Sequence, residues 1–238
     1  MNTMYYVGGI SCAGKSTRVM ILKLFLDNYY KAEDFFAKNS EKKKQIGYLY
    51  TLPKGKLLII GKFITRNNKI AWQGVDSYTE FLQDGYGQTR LYEKLWKYAE
   101  DYSLVLDASL MLRSPYSRPL ISVEHCPAKT RTWMFVASSV EEYAKRLSVR
   151  STRRVTEDSG MWKSNKTFAR HIEKHNEELK VIDPALRDRY VATEESIFAA
   201  PSIIGEEILK ALDPDHVDDF KKFCEDNMQE ILTVGAIE

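Results

Sequence analysis

Near the start of this chain, Gly9-Ile10-Ser11-Cys12-Ala13-Gly14-Lys15-Ser16 matches the phosphate-binding loop pattern G-x-x-x-x-G-K-[ST] at every fixed position. In such a loop the glycines let main-chain N–H groups turn toward phosphates, the lysine reaches the β- and γ-phosphate oxygens, and the serine hydroxyl can bind Mg²⁺. The loop must follow a strand and open a helix, which constrains the chain to an α/β arrangement. The residues predicted to bind the nucleotide are Gly9, Ser11, Cys12, Ala13, Gly14, Lys15, Ser16 and Thr17.

The residues on either side of the loop have the required character. Residues 4–7 form a short apolar and aromatic run that is typical of a strand. Residues 17–30 contain no Gly or Pro and are apolar almost all round, which predicts a helix buried on more than one face. The positive end of that helix would point at the phosphates. A chance glycine turn is the alternative, and this placement disfavours it.

The composition indicates one globular domain. Of the 238 residues, 44% are hydrophobic and 29% are charged, which is ordinary for such a domain. No run approaches the roughly 18 apolar residues of a membrane span, and the N-terminus lacks a signal-peptide pattern. Cys12, Cys126 and Cys224 are widely spaced, which favours reduced thiols over disulfides or zinc. We therefore expect a cytoplasmic protein with no membrane partner, whose oligomeric state no sequence feature sets.

Strands alternate with helices along the chain, which predicts an α/β fold with a mostly parallel sheet and helices on both faces. The predicted strands are 57–65, 70–72, 103–107, 132–137 and 189–193, and the predicted helices are 89–101, a helix opened by the capping box of Ser139 and Glu142, 166–182 and 203–212. Gly160 is expected to break the basic segment at residues 145–170. We expect one domain over 1–213, followed at 214–238 by a peripheral acidic helix or tail of the same domain.

Two carboxylates are candidates for the chemistry. Asp107 ends the apolar run Leu104-Val105-Leu106, where a partner carboxylate for Mg²⁺ is expected. Arg66-Asn67-Asn68 is a turn signal between two strand-like runs, and the second arm of that hairpin would deliver Asp76 to the top of the sheet. There Asp76 would orient or deprotonate an acceptor hydroxyl. For both acids, the alternative is a carboxylate that caps a turn.

The charges are unevenly distributed although the net charge is only +2. Residues 145–170 hold eight Lys or Arg against two acids, whereas 205–238 hold ten acids against three lysines. Arg150, Arg153 and Arg154 lie in the basic segment, and we expect them to form a lid, roughly 148–165, that neutralises a transferring phosphate. A solvated helix end is the alternative interpretation.

Two further groups of residues are predicted to be structural. His171 and His175 lie one helical turn apart, but without a third ligand they are predicted as core histidines and not as a zinc site. Several aromatic residues flank Asp76. Core packing is the preferred interpretation and stacking on a nucleobase is the alternative for Trp72, Tyr78, Phe81 and Tyr86.

With the loop, Asp107 and the arginines in place, the chain resembles P-loop kinases of the nucleoside-monophosphate-kinase type. The resemblance implies a P-loop NTPase-type three-layer fold with an arginine-bearing lid. Two runs, Ile60-Gly61-Lys62-Phe63 and Trp72-Gln73-Gly74-Val75-Asp76-Ser77, are similar to segments of bacteriophage kinases that act on 5-hydroxymethyluracil in DNA. That narrower resemblance implies that Asp76 faces the hydroxymethyl group, that the 145–170 strip carries the DNA strand, and that the protein works in the host cytoplasm.

These observations predict a Mg²⁺- and ATP-dependent phosphotransferase whose acceptor is a nucleotide or DNA, above all the 5-hydroxymethyl group of a modified pyrimidine in phage DNA. The predicted catalytic residues are Lys15, Asp76, Asp107, Arg150, Arg153 and Arg154, and the predicted metal ligands are Ser16 and Asp107. A kinase of free (deoxy)nucleoside monophosphates is the first alternative. A nucleotide-gated ATPase or switch without a phosphate acceptor is the second.

Overall fold

The structure, a computed structural model, describes residues 2–9, 14–36, 45–66, 69–74, 95, 97–107, 129–135, 139–141, 143–144, 156–160, 162–163, 166–167, 170, 190–193 and 202–227. The strands are β1 (Thr3–Gly9), β2 (Glu33–Phe36), β3 (Gln45–Leu52), β4 (Gly55–Ile60), β5 (Lys62–Arg66), β6 (Lys69–Gln73), β7 (Ser103–Asp107), β8 (Lys129–Phe135) and β9 (Tyr190–Thr193). The helices with defined bounds are α1 (Lys15–Tyr29), α2 (Ile203–Leu212) and α3 (Val217–Asp226), with a 3₁₀ turn at Pro214–His216.

β1 lies inside a seven-stranded sheet with the order β2-β3-β4-β7-β1-β8-β9. The strands β4, β7, β1, β8 and β9 run parallel to one another. β3 pairs with β4, and β2 with β3, in antiparallel orientation at one edge of the sheet. This confirms the predicted mostly parallel sheet. The chain places β4 and β7 on one side of β1 and later β8 and β9 on the other. The carboxyl end of β1 is therefore a topological switch point, where open α/β sheets bind their ligands.

Apolar side chains form a core on each face of the sheet. On one face α1, α2 and α3 pack together, with Leu22, Ile208 and Phe220 fully buried. On the other face Leu95 and Tyr98, in and beside the helical residues 97–101, cover the sheet. Helices on both faces were predicted, and the described residues confirm them. None of the helices in the described part of the chain is long and apolar enough to span a lipid bilayer.

Several predicted elements are confirmed, and two strands were missed. The sequence predicts the positions of β1, β7, β9, α1 and α2 to within a few residues. The strand predicted at 132–137 corresponds to β8, which begins three residues earlier and ends two residues earlier, at Lys129–Phe135. β2 and β3 were not predicted, although Pro53 and Gly55 mark the turn that joins β3 to β4. At Gly47 a Cβ atom would overlap the carbonyl oxygen of Ile59, so β3 uses glycine where the two backbones come closest.

The predicted strand 57–65 is wrong as one continuous strand, because it breaks at Gly61. This residue has φ 151°, and a Cβ atom there would overlap the ring of Trp72. Only glycine fits such a combination of backbone angle and close contact. The chain therefore leaves the main sheet after Ile60, and β5 pairs with β6 in a separate two-stranded sheet. The hairpin itself is confirmed.

The described part of the segment after Pro214, which ends at residue 227, is not peripheral as predicted. Phe220 and Cys224 of α3 are buried in the same core as α1, and the ring of Phe220 lies 5.0 Å from that of Phe25 in an edge-on arrangement. The fully buried Asp213 accepts a hydrogen bond of 2.6 Å from the Tyr30 hydroxyl. The acidic residues of α3 thus lie on the outer side of a helix that stabilises the domain.

Helical residues are present before the helix predicted at 166–182. Residues 156–159 are non-helical, and Gly160 is the first helical residue after them, with Ser159 directly before it. The Ser159 hydroxyl accepts a hydrogen bond of 3.3 Å from the Trp162 N–H and donates one of 2.8 Å to the Thr156 carbonyl. Serine is a preferred residue at this position because its oxygen satisfies an N–H group that has no partner within the helix.

Candidate active site

The phosphate-binding sequence joins the end of β1 to the start of α1, as the pattern requires. Gly9 is the last residue of β1 and Lys15 is the first residue of α1, while 10–13 lie outside the described residues. Gly14 has φ 78° and ψ 18°, a left-handed conformation that favours glycine. Its carbonyl accepts a 3.2 Å hydrogen bond from the Arg18 N–H, which closes the first turn of the helix.

The first turn of α1 is suited to an anion. It contains no acidic residue, and Lys15 and Thr17 are buried while Ser16 is half-buried. The N–H groups at a helix N-terminus and the helix dipole both favour negative charge there. The described part of the predicted nucleotide-binding set therefore lies at a position that can accept phosphate oxygens.

Asp107 lies one strand away from the loop. It is the last residue of β7, only 3% of its surface is exposed, and its register partner on β1 is Val7, two residues before Gly9. Neighbouring strands are about 4.8 Å apart. The predicted metal ligand and the start of the phosphate-binding sequence are thus side by side at the carboxyl edge of the sheet.

Gly74 places the end of the β5–β6 hairpin against Asp107, at the carboxyl edge of the sheet. It directly follows β6, and a Cβ atom on it would lie 2.8 Å from Asp107 Oδ2 and 3.0 Å from the Asp107 carbonyl oxygen. A side chain at position 74 would require Asp107 to move. Because glycine has no side chain, the backbone can pass directly over the end of β7. Asp76, two residues further along the sequence, lies outside the described residues.

The sequence did not single out Arg18 as a site residue. Its side chain is buried, with 1% of the residue exposed, and its guanidinium carbon lies 3.9 Å from the ring centroid of Phe135. Phe135 is the register partner of Gly9, so the stacked pair lies beside the end of β1. The available signal was an arginine directly after Gly-Lys-Ser-Thr, followed by the apolar run of residues 19–22.

Some residues with a predicted role lie outside the described residues. Those predicted in the site are Ser11, Cys12, Ala13, Asp76, Arg150, Arg153 and Arg154, and those predicted in the core are His171, His175, Tyr78, Phe81 and Tyr86. Of the basic segment, Lys163, Lys166 and Arg170 are exposed on helical residues. Trp72 is 5% exposed within the core, which confirms its predicted packing role. No cluster of three or more His, Cys, Asp or Glu side chains able to hold a metal occurs among the residues described.

A comparison with known protein families shows which family this chain belongs to. The family model described as 5-hmdU DNA kinase 2 (HMUD2) matches residues 1–217 of the chain. The chain belongs to this family. The 5-hmdU DNA kinase 2 match spans β1, α1, the hairpin and β7, and it ends at the first residue of α3. No curated protein and no solved structure is significantly similar to the chain.

Membership of the 5-hmdU DNA kinase 2 family confirms the narrower of the two predicted resemblances. The protein is a kinase that acts on a modified pyrimidine, with ATP as phosphate donor and a nucleotide or DNA as acceptor. The described geometry agrees with that chemistry because phosphoryl transfer depends mainly on positioning and on charge neutralisation.

Proposed function

We propose that this protein transfers the γ-phosphate of Mg²⁺-ATP to the 5-hydroxymethyl group of 5-hydroxymethyluracil within DNA, and that it does so on a P-loop NTPase-type fold. One observation carries the proposal. The buried Asp107 lies in register with β1 beside the phosphate-binding sequence, at the switch point of a mostly parallel sheet. The family match supplies the class of acceptor.

The nucleotide is held at the start of α1. Main-chain N–H groups of residues 9–17 and the positive end of α1 bind the phosphates, and the Lys15 ammonium contacts the β- and γ-phosphate oxygens. Arg18 stacks on Phe135 directly behind this turn and adds positive charge near the phosphates. These groups hold the donor so that the γ-phosphorus faces the acceptor.

The donor set fits magnesium. Mg²⁺ binds few protein ligands, commonly one or two oxygens, and takes the others from phosphates and water. Ser16 at the start of α1 and the buried carboxylate of Asp107 provide two oxygens of that kind. When bound, the ion supplies charge neutralisation for the phosphate oxygens.

The acceptor approaches from the hairpin side. Gly74 crosses the end of β7 at Asp107, and Asp76 follows it by two residues. In the transfer the hydroxymethyl oxygen forms a bond to the γ-phosphorus, the bond from that phosphorus to the bridging oxygen breaks, and ADP leaves. Asp76 accepts the hydroxyl proton.

The basic segment closes over the transferring group. Arg150, Arg153 and Arg154 form the lid that neutralises this group, and the basic strip 145–170 binds the DNA backbone.

A labelling experiment tests the acceptor. ATP carrying label on its γ-phosphate is offered with a duplex containing 5-hydroxymethyluracil, a matched thymine duplex, free 5-hydroxymethyl-dUMP, or no acceptor. We expect label only in the modified duplex, recovered on the base as a phosphomethyl group. Label confined to the free nucleotide would assign the protein to nucleotide metabolism. Phosphate released to water with every acceptor would show an ATPase or switch.

A further inference from the structure

A lysine is buried among aromatic rings on the helix that begins at the phosphate-binding loop. Lys23 is 5% exposed, and its Nζ atom lies 4.2 Å from the ring centroid of Tyr48 and 5.3 Å from that of Phe63. A buried ammonium group is costly unless it is neutralised. Asp27 supplies the opposite charge at 2.5 Å and also accepts a 2.7 Å hydrogen bond from the Tyr50 hydroxyl.

The two rings that Lys23 contacts pack against a third, and the three rings belong to three different strands. Tyr48 is on β3, Phe63 on β5 and Trp72 on β6, and their centroids are 5.3–6.5 Å apart. The Phe63 N–H also donates a 3.3 Å hydrogen bond to the Tyr48 hydroxyl. Because these distances lie in the range of cation–π and aromatic contacts, the four side chains form one packed unit, which we call the Lys23 cluster.

The Lys23 cluster is what attaches the β5–β6 hairpin to α1. In the described residues the two strands pair with each other and not with the seven-stranded sheet. The position of the hairpin therefore depends on side-chain packing, in which Phe63 and Trp72 take part at facing register positions. The Lys23 ammonium, carried by α1, contacts the rings of Tyr48 and Phe63, and these cation–π contacts add to the apolar packing of the hairpin.

The hairpin leads directly to the proposed acceptor side. β6 ends at Gln73, Gly74 lies against Asp107, and Asp76 follows. α1 begins at Lys15, eight residues before Lys23, a rise of about 12 Å along the helix. Through Phe63 of β5, which faces Trp72 of β6, Lys23 therefore connects the helix proposed to bind the donor phosphates with the hairpin that leads to the acceptor side.

We propose that Lys23 is a positioning residue for phosphate transfer: through the Lys23 cluster it holds the β5–β6 hairpin so that Gly74, the residue that leads to Asp76 in the sequence, stays against Asp107. The inference rests on the proposed function, because it requires an acceptor near Asp76. A misplacement of about 1 Å between reacting groups can cost roughly 100-fold in rate. Lys23 would thus affect turnover without touching either substrate.

The test compares Lys23→Met, which keeps the chain length and removes the charge, with Lys23→Arg, which keeps the charge and can stack on the rings. We expect Lys23→Met to lower kcat for the modified duplex by about 10- to 100-fold and Lys23→Arg to recover most of that loss. The Kd for Mg²⁺-ATP, measured by calorimetry, should stay within about twofold of wild type because the phosphate-binding turn is untouched.

Lys210→Met is the matched control. Lys210 pairs with Glu206 four residues away on α2 at 3.6 Å, but its side chain is 62% exposed, and α2 does not lead to the acceptor side. Its removal should leave kcat unchanged. Tyr48→Phe provides a milder change in the Lys23 cluster, since it keeps the ring and removes the hydroxyl that binds the Phe63 N–H. It should show a smaller loss of kcat, again at unchanged Kd for ATP.

A purely structural role gives a different pattern. In that case Lys23→Met lowers the melting temperature but leaves kcat at wild-type level below it, which would overturn the inference. Equal losses of ATP binding and turnover would also overturn it. Wild-type transfer to free nucleotide and not to DNA would refute the proposed acceptor alone. The same variants are then compared with that nucleotide, and an unchanged kcat would still reject the positioning role.

Discussion

Gly74 and Asp107 meet so closely that a single methyl group tests their contact. In Gly74→Ala the new Cβ would lie 2.8 Å from a carboxylate oxygen and 3.0 Å from a backbone oxygen of Asp107, and the backbone cannot rotate away as a side chain can. We expect a loss of about 1–3 kcal/mol in the free energy of unfolding and a large fall in kcat. Urea unfolding and label transfer measure the two effects.

Gly160→Ala is the control for that substitution. Gly160 is helical, and apart from its chain neighbours and its own helix backbone no atom of the described residues lies within 4 Å of an added Cβ. Alanine favours helix over glycine by up to about 1 kcal/mol, so this variant should be as stable as wild type or slightly more stable. A stable, fully active Gly74→Ala protein would show that the hairpin does not need to approach Asp107.

Substitutions of Lys15 and Asp107 test the catalytic roles proposed for these two residues. Lys15→Ala removes the ammonium expected at the γ-phosphate, and Asp107→Asn removes a buried negative charge while keeping the size of the side chain. We expect each change to lower kcat by at least about 100-fold, the usual cost of removing one charge-stabilising group. Circular dichroism should show an unchanged fold, and near-normal turnover in either variant would contradict the assigned role.

At the residue scale the sequence pattern predicts roles for Lys15, Ser16 and Asp107 because their spacing and neighbours are dictated by phosphate chemistry. Gly74 and Lys23 could not be assigned a role in this way. The structure brings them into contact with residues 33 and 25 positions away in the chain, Asp107 and Tyr48. The sequence shows Arg18 and Lys23 as basic residues in a largely apolar helix, but no local pattern reports the rings that they contact.

At the scale of elements, the aromatic contact between α1 and α3 makes the C-terminal helix a part of the core. Phe220 is fully buried, packs edge-on against Phe25, and fills the space that a side chain at Gly205 would need. We expect Phe220→Ala to cost about 3–5 kcal/mol in the free energy of unfolding because it leaves a cavity. Thermal or urea denaturation measures this cost.

Phe36→Ala is the matched control for the same change of residue. Phe36 lies on the edge strand β2 and is 42% exposed, so its removal should cost about 1 kcal/mol or less. A similar loss in both variants would contradict the assignment of α3 to the core. So would a wild-type melting temperature for Phe220→Ala.

The elements that the sequence predicted well are those with a clear apolar pattern. β7 and α2 have the predicted bounds, since Leu104 to Leu106 form an uninterrupted apolar run and the apolar residues of Ile203–Leu212 follow the period of a helix. The break at Gly61 could not be predicted, because it depends on the Trp72 ring occupying the space beside that glycine. α3 was placed at the periphery because its charges concealed a stripe of three buried residues, Val217, Phe220 and Cys224.

At the scale of the whole molecule, a buried thiol and a buried tyrosine hydroxyl that keep their protons in the native state make the stability of the fold sensitive to high pH. Burial raises the pKa of the Cys224 thiol from 9.0 to about 12, and burial together with the hydrogen bond to Asp27 raises the pKa of Tyr50. The unfolded chain loses these protons at lower pH than the native protein does. Stability is therefore full below about pH 8 and falls from about pH 9 upward.

Chemical denaturation at several pH values checks this behaviour. For Cys224 alone the expected loss is about 1 kcal/mol in the free energy of unfolding by about pH 10. Cys224→Ala should be less stable at neutral pH but should lose less on going from about pH 8 to pH 10. If the two proteins decline in parallel, Cys224 is accessible to water in the native state.

The central claim is that a magnesium nucleotide is bound between the start of α1 and Asp107. Calorimetric titration of the intact protein with ATP, in the presence of Mg²⁺ and again in excess chelator, tests it most directly. The account predicts that wild type binds Mg²⁺-ATP more tightly than ATP alone, that Asp107→Asn loses this difference, and that Lys15→Ala binds weakly in both conditions. If wild type takes up no Mg²⁺-ATP, or if Asp107→Asn keeps the full effect of magnesium, the account is wrong.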